Sequence, residues 1–145
     1  MKRSAARFGL SDEQWEAAVS EVRAAILEAA YDYRMTWYGE VASKVSAVPL
    51  EPYSALMNPL LGEVFEMEHR VGRPALTALV THKDGDKEPG PGFYDMARSL
   101  GCQFSEPYVY WTTEVEKYLS YMASRVRYEV LLDAGSHDEC STALG

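Results

Sequence analysis

The stretch Asn58-Pro59-Leu60-Leu61-Gly62-Glu63-Val64-Phe65-Glu66-Met67-Glu68-His69-Arg70-Val71-Gly72, continued by Arg73-Pro74-Ala75-Leu76-Thr77-Ala78-Leu79-Val80-Thr81-His82, decides the fold class. Its first half predicts a helix. Asn58 stands as N-cap with Pro59 at the first helical position. Leu60, Val64 and Met67, with Leu61 and Phe65 beside them, repeat at helical spacing as far as Val71. Gly72 closes the segment in the left-handed cap position. His69 and Arg70 fall in the last turn, where cations suit the helix dipole. The second half predicts a strand over 75–82, so apolar that both its faces should be covered. Asp84-Gly85 then signals a tight turn, and 86–92 is a loop with two prolines and two glycines. Helix, strand and hairpin in that order place the chain among α+β domains.

Working outward, helices dominate. Ser11 and Gln14 have capping-box spacing, and Leu10 with Trp15 has that of a hydrophobic staple. Trp15, Val19, Val22, Ile26, Ala30 and Tyr33 form one apolar stripe, which predicts a helix from Asp12 to about Arg34. Val41, Ala42 and Val45 predict a short amphipathic helix. Phe93, Met96, Ala97 and Leu100 predict another, ended by Gly101. From Pro107 the positions Tyr108, Trp111, Val115, Leu119, Met122 and Val126 predict a long helix ending near Leu132. The expected organisation is a basic lead at 1–10, one globular domain at 11–132 and a mobile tail at 133–145.

The bulk numbers agree with one domain. There are 145 residues, 47% hydrophobic and 25% charged, enough apolar material for a single core without disulfides or metals. Fourteen Lys and Arg stand against 22 Asp and Glu, a net charge of −8. Such a surface opposes long-range attraction to nucleic acid and leaves only a local basic patch for that role. Cys102 and Cys140 lack metal-ligand spacing and read as free thiols in a reducing compartment. No apolar run has the length of a signal peptide or a membrane span, so the expected location is the cytoplasm.

The segments Tyr38-Gly39-Glu40-Val41-Ala42, Leu60-Leu61-Gly62-Glu63-Val64, Gly72-Arg73-Pro74-Ala75-Leu76-Thr77-Ala78-Leu79-Val80, Lys83-Asp84-Gly85 and Pro89-Gly90-Pro91-Gly92-Phe93-Tyr94 resemble a group of small uncharacterised actinobacterial and phage proteins. The resemblance covers about residues 36–101. It implies a bacterial or phage accessory protein, placed in the host cytoplasm if phage-encoded, and implies no mechanism. The order of elements is also similar to the winged-helix domain of alkyltransferase-like proteins, which implies a winged-helix-like centre between the two long helices. That family carries a Pro-Cys-His-Arg-Val motif with the alkyl-accepting Cys. Here the corresponding stretch is Arg73-Pro74-Ala75-Leu76-Thr77, so the resemblance carries the topology and not the chemistry.

Chemistry-bearing motifs are sparse. His69, His82, Glu66 and Asp84 lack the repeated spacing of a metal site, and no phosphate-binding Gly-Lys-Ser/Thr opens a helix. No Gly-x-Ser-x-Gly is present, and Cys102 has no motif partner. The sequence therefore assigns no catalytic residue, metal or cofactor. Arg70, Arg73, Lys83 and Lys87 gather around the helix end and hairpin, placed either to contact phosphates or acidic protein or to serve as solvated charge. With His82, Asp84 and Phe93 they make the expected binding surface, displayed on a stiff Pro-Gly loop. Tyr110, Tyr121 and Tyr128 fall off the stripe of the last helix. They are placed either to pack on the first helix or to form an interface, including that of a homodimer.

Three functions follow in order. The first is a non-catalytic interaction module that binds a protein partner. The second is a winged-helix-like nucleic-acid binder, a regulator or repair-associated protein. The third is an enzyme acting through the 73–84 region.

Overall fold

Ser11 begins the first helix in the way its spacing with Gln14 predicts. Its Oγ accepts from the Gln14 backbone N–H at 3.0 Å, while its own N–H donates to Gln14 Oε1 at 2.9 Å. The computed structural model describes residues 5–6, 8–83 and 88–137. In it the capping box opens α1 (Asp12–Tyr31), which buries Trp15, Val19, Val22 and Ile26 as one stripe. Ser11→Ala should cost about 1 kcal/mol, because the Gln14 N–H loses its side-chain acceptor at the helix end. A urea titration of the variant checks this.

The order then runs β1 (Thr36–Trp37), α2 (Tyr38–Ser43), α3 (Met57–Arg70), a 3₁₀ turn (Leu76–Leu79), β2 (Val80–Thr81), α4 (Pro91–Ser99) and α5 (Pro107–His137). The chain is a helix-dominated α+β domain with two long helices, α1 and α5, near its ends. Among the described residues no helix is long and apolar enough to cross a membrane.

Several expected elements differ. The predicted α1 tail to Arg34 is cut at Tyr31, and Tyr33 adopts a left-handed φ of 54°. α3 starts at Met57, before Asn58, because the turn at 52–56 winds directly into it: the Met57 N–H donates to the Ser54 carbonyl and the Leu60 N–H to that of Leu56. Pro59 is tolerated there because first-turn N–H groups have no helical acceptor. Gly72 does take the left-handed conformation (φ 77°). α5 runs on to His137, past the end expected at Leu132 and into the segment expected as a tail.

The apolar run 75–82 is the main correction. Only Val80 and Thr81 are extended, and 76–79 coil into a 3₁₀ turn. Residues 75–81 are all buried, as a strand covered on both faces would be. Periodicity cannot separate a short buried strand from another buried segment. What decides is the surroundings: the turn is enclosed by α1, α3 and α5, and the Trp111 indole N–H donates to the Ala78 carbonyl at 2.8 Å.

The hairpin turn expected at 84–85 lies outside the described residues. The sheet described is two-stranded and parallel, with Thr36 opposite Val80 and Trp37 opposite Thr81. Nothing in the 36–37 segment signals a strand, since two residues carry no period. The Thr81 hydroxyl adds a bond to the Thr36 carbonyl at 3.3 Å. Among the described residues, the His82 N–H donates to the Glu88 carbonyl at 3.1 Å. Asp84 and Lys87, with the turn between them, lie outside the described residues.

A buried carboxylate ties the three longest helices together. Glu68 on α3 is fully buried. It accepts from Arg23 of α1 (Nε to Oε2, 3.2 Å), from the Arg73 fork (3.0 Å to each oxygen) and from the Tyr118 hydroxyl of α5 (2.6 Å). Burial pushes the Glu68 carboxyl up, but the bonds from Arg73, Tyr118 and Arg23 outweigh it and hold the group below the usual carboxylate range. A second buried carboxylate, Glu114 on α5, accepts from the Ala75 N–H at 2.9 Å and fixes the strap that follows Arg73.

Candidate functional site

Parallel pairing puts the carboxyl ends of both strands side by side. Trp37 ends β1 and Thr81 ends β2, so the residues that leave the sheet, Tyr38 on one chain and His82-Lys83 on the other, are neighbours. The His82 and Tyr38 rings sit 5.1 Å apart, and the Lys83 ammonium lies 5.6 Å from the centre of the Trp37 ring. Across from this sheet end runs the first third of α5. Between them opens a groove of about 540 Å³, walled by Trp37, Trp111 and Val115 and rimmed by His82, Lys83 and Glu116. Its volume is in the range of small-molecule and peptide-anchor clefts, and its walls are mainly apolar as such clefts are.

His82 also lines a second hollow of about 170 Å³ on its other side, under Tyr53. The Tyr53 ring stacks on His82 at 6.4 Å and is 80% exposed. The Tyr38 hydroxyl accepts from the Gly90 N–H at 2.7 Å. Burial raises the Tyr38 pKa against that bond, so the phenol stays protonated. This bond pins the residue before α4 to α2. The imidazole of His82 is thus held in place from both sides at the edge of the groove.

Of the expected basic patch, the two arginines are held in ion pairs within the molecule. Arg73 spends its guanidinium on the buried Glu68. Arg70 pairs with Glu66 at 3.3 Å and approaches Glu63 at 3.9 Å. Only Lys83 of the four joins the groove, and Lys87 lies outside the described residues, as does Asp84. Phe93, expected as a binding residue, is core. It is buried against Phe65 (ring centres 5.6 Å apart) in a satellite cluster with Ala78, Ala97 and Trp111. The stiff loop before it anchors the side chain inward, which the apolar spacing of α4 already implied.

The aromatic residues of α5 are largely satisfied within the molecule. Tyr110 stacks on Phe104, ring centres 4.4 Å apart and nearly parallel, and is half-buried. Tyr121 packs edge-on to Tyr118 at 5.3 Å and accepts from Arg125 at 3.3 Å. Both rings thus have partners within the molecule while remaining half-exposed. The Tyr128 side chain lies outside the described ones. Among the described side chains of this helix Tyr108 is an exposed aromatic, 59% exposed and edge-on to Trp111.

Sequence reasoning did not find the groove walls. Trp111 and Val115 read as stripe positions of a buried helix, and Trp37 belongs to no apolar period. Among the described residues no group of three or more His, Cys, Asp or Glu is arranged to hold a metal ion. Cys102 carries a free thiol. The fold and site thus define a small helix-dominated domain with an open, aromatic-walled groove at the end of a parallel strand pair. Comparison with known protein families, with curated proteins and with solved structures finds no match to this chain.

Proposed function

We propose that this chain is a non-catalytic interaction module and that it binds a protein partner through the groove between the strand ends and α5. The observation that carries the reading is the groove itself: about 540 Å³, open to solvent, with two tryptophans in its walls. Aromatic walls of this kind receive the few anchor side chains that dominate binding energy at interfaces. The nucleic-acid reading loses its basis when Arg70 and Arg73 are drawn into intramolecular ion pairs. Among the described residues of that cluster Lys83 alone is outside an ion pair, and the net charge of −8 opposes the approach of a duplex.

The test is selection of a random peptide library on the purified protein, repeated on Thr112→Arg. Position 112 faces the groove and is half-exposed, so the variant blocks the groove without opening the core. Peptides with a bulky apolar anchor should be enriched on the parent protein and should bind at least about tenfold more weakly to Thr112→Arg, as expected when a central anchor is displaced. Enrichment that ignores the substitution overturns the reading. So does salt-steep binding of labelled duplex or single-stranded DNA that disappears in Lys83→Ala, which would promote the nucleic-acid function instead.

A further inference from the structure

Resting on that reading, we infer that the groove selects a linear partner segment in which a bulky apolar anchor is flanked by an acidic residue on one side and a basic residue on the other. The argument is one of charge. Lys83 and Glu116 line opposite walls of the groove, one on the segment leaving β2 and the other on α5. Among the described residues Lys83 has no carboxylate within ion-pair distance, and its ammonium rests over the Trp37 ring. Glu116 likewise has no cation within that distance, because its neighbour Lys117 is turned to Glu114 at 3.4 Å. Among the described residues, two other charges have partners of their own: Glu114 accepts from the Ala75 N–H, and Arg34 donates to Glu40.

A groove with apolar walls and one unpaired charge of each sign is complementary to a segment with the same three features in mirrored charge. A uniformly basic segment would meet Lys83, and a uniformly acidic one would meet Glu116. Like-charge juxtaposition of this kind discriminates between partners more than it changes total affinity. The anchor replaces Lys83 over Trp37, and the displaced ammonium is satisfied by the segment's carboxylate.

The experiment uses the peptides selected on the parent protein, each made with its acidic or basic flank changed to alanine, and measures binding by anisotropy at low salt. The proteins are the parent, Lys83→Glu, Glu116→Lys and the double reversal. Each single reversal should weaken binding about two- to fivefold, the scale of an exposed ion pair. Removing the acidic flank should weaken binding where Lys83 is present and strengthen it in Lys83→Glu, and removing the basic flank should weaken binding where Glu116 is present and strengthen it in Glu116→Lys. On the double reversal, peptides with the two flanking charges exchanged should bind better than the originals. Both positions are on the surface, and matching circular dichroism melts confirm that the variants fold. If peptides bind the groove, as judged by Thr112→Arg, but their flanks carry no charge preference or one that the reversals do not move, this inference fails and the binding function stands. If no peptide is sensitive to Thr112→Arg, the function itself fails. If a free aromatic amino acid saturates the groove and peptides do not, the occupant is a small zwitterion and the inference is overturned.

Discussion

Glu68→Ala should destabilise the protein by about 3–5 kcal/mol, the range for breaking a buried ion pair by removing one partner. The carboxylate is fully buried and accepts four hydrogen bonds, from Arg23, Arg73 (twice) and Tyr118. Its removal leaves two guanidinium groups and a buried phenol facing a void. The loss is shared by α1, α3 and α5 at once, so unfolding should remain a single transition with a lower urea midpoint. Tyr118→Phe removes only the 2.6 Å bond and should cost less, about 1.5–3 kcal/mol. The pH dependence has a definite sign. The folded-state pKa of Glu68 lies below the ordinary value, chiefly because the bonds from Arg73, Tyr118 and Arg23 outweigh the opposing effect of burial. Its contribution is therefore complete above the ordinary carboxylate pKa and is lost as pH falls through the lowered one. The acid limb of a stability-against-pH curve should shrink in Glu68→Gln. An unchanged limb would mean that other carboxylates carry the acid sensitivity.

Trp111→Ala should have the second large effect, about 3–5 kcal/mol, as for other buried tryptophans cut to alanine. Two losses combine. The indole fills the satellite core beside Phe65 and Phe93, and its N–H is the partner of the buried Ala78 carbonyl at 2.8 Å. Trp111→Phe separates them. It keeps most of the apolar contact but strands the carbonyl, for about 1–3 kcal/mol. Thermal melts of the two variants give both numbers. The same residue walls the groove, so Trp111→Phe should also weaken peptide binding under conditions where it is still fully folded. Unchanged binding in that variant would show that anchors do not reach the α5 side.

How much of this could be read from residue order depends on the range of the forces involved. The capping box at Ser11 and Gln14 acts over three residues, and the left-handed glycines at 72 and 101 are local backbone requirements. Both were legible for that reason. So were the stripes of α1 and α5, where burial of one face repeats at the helical period. The 75–82 run was legible as buried but not as a 3₁₀ turn, because its shape is set by Trp111 and Glu114 of α5, some 35 residues away. The basic cluster failed for a related reason. Arg70, Arg73 and Lys83 are close along the chain, but Glu68 lies between α1, α3 and α5 and draws Arg73 inward.

By itself the sequence determined the class of the domain, its long helices, their caps and the residues that must be buried, since those follow from local propensity and from period. Tertiary structure alone decided the parallel pairing of 36–37 with 80–81, the burial of Phe93, the fate of each arginine and the groove. Each of these depends on which distant surfaces meet, and contacts between surfaces far apart in the chain leave no periodic trace along it.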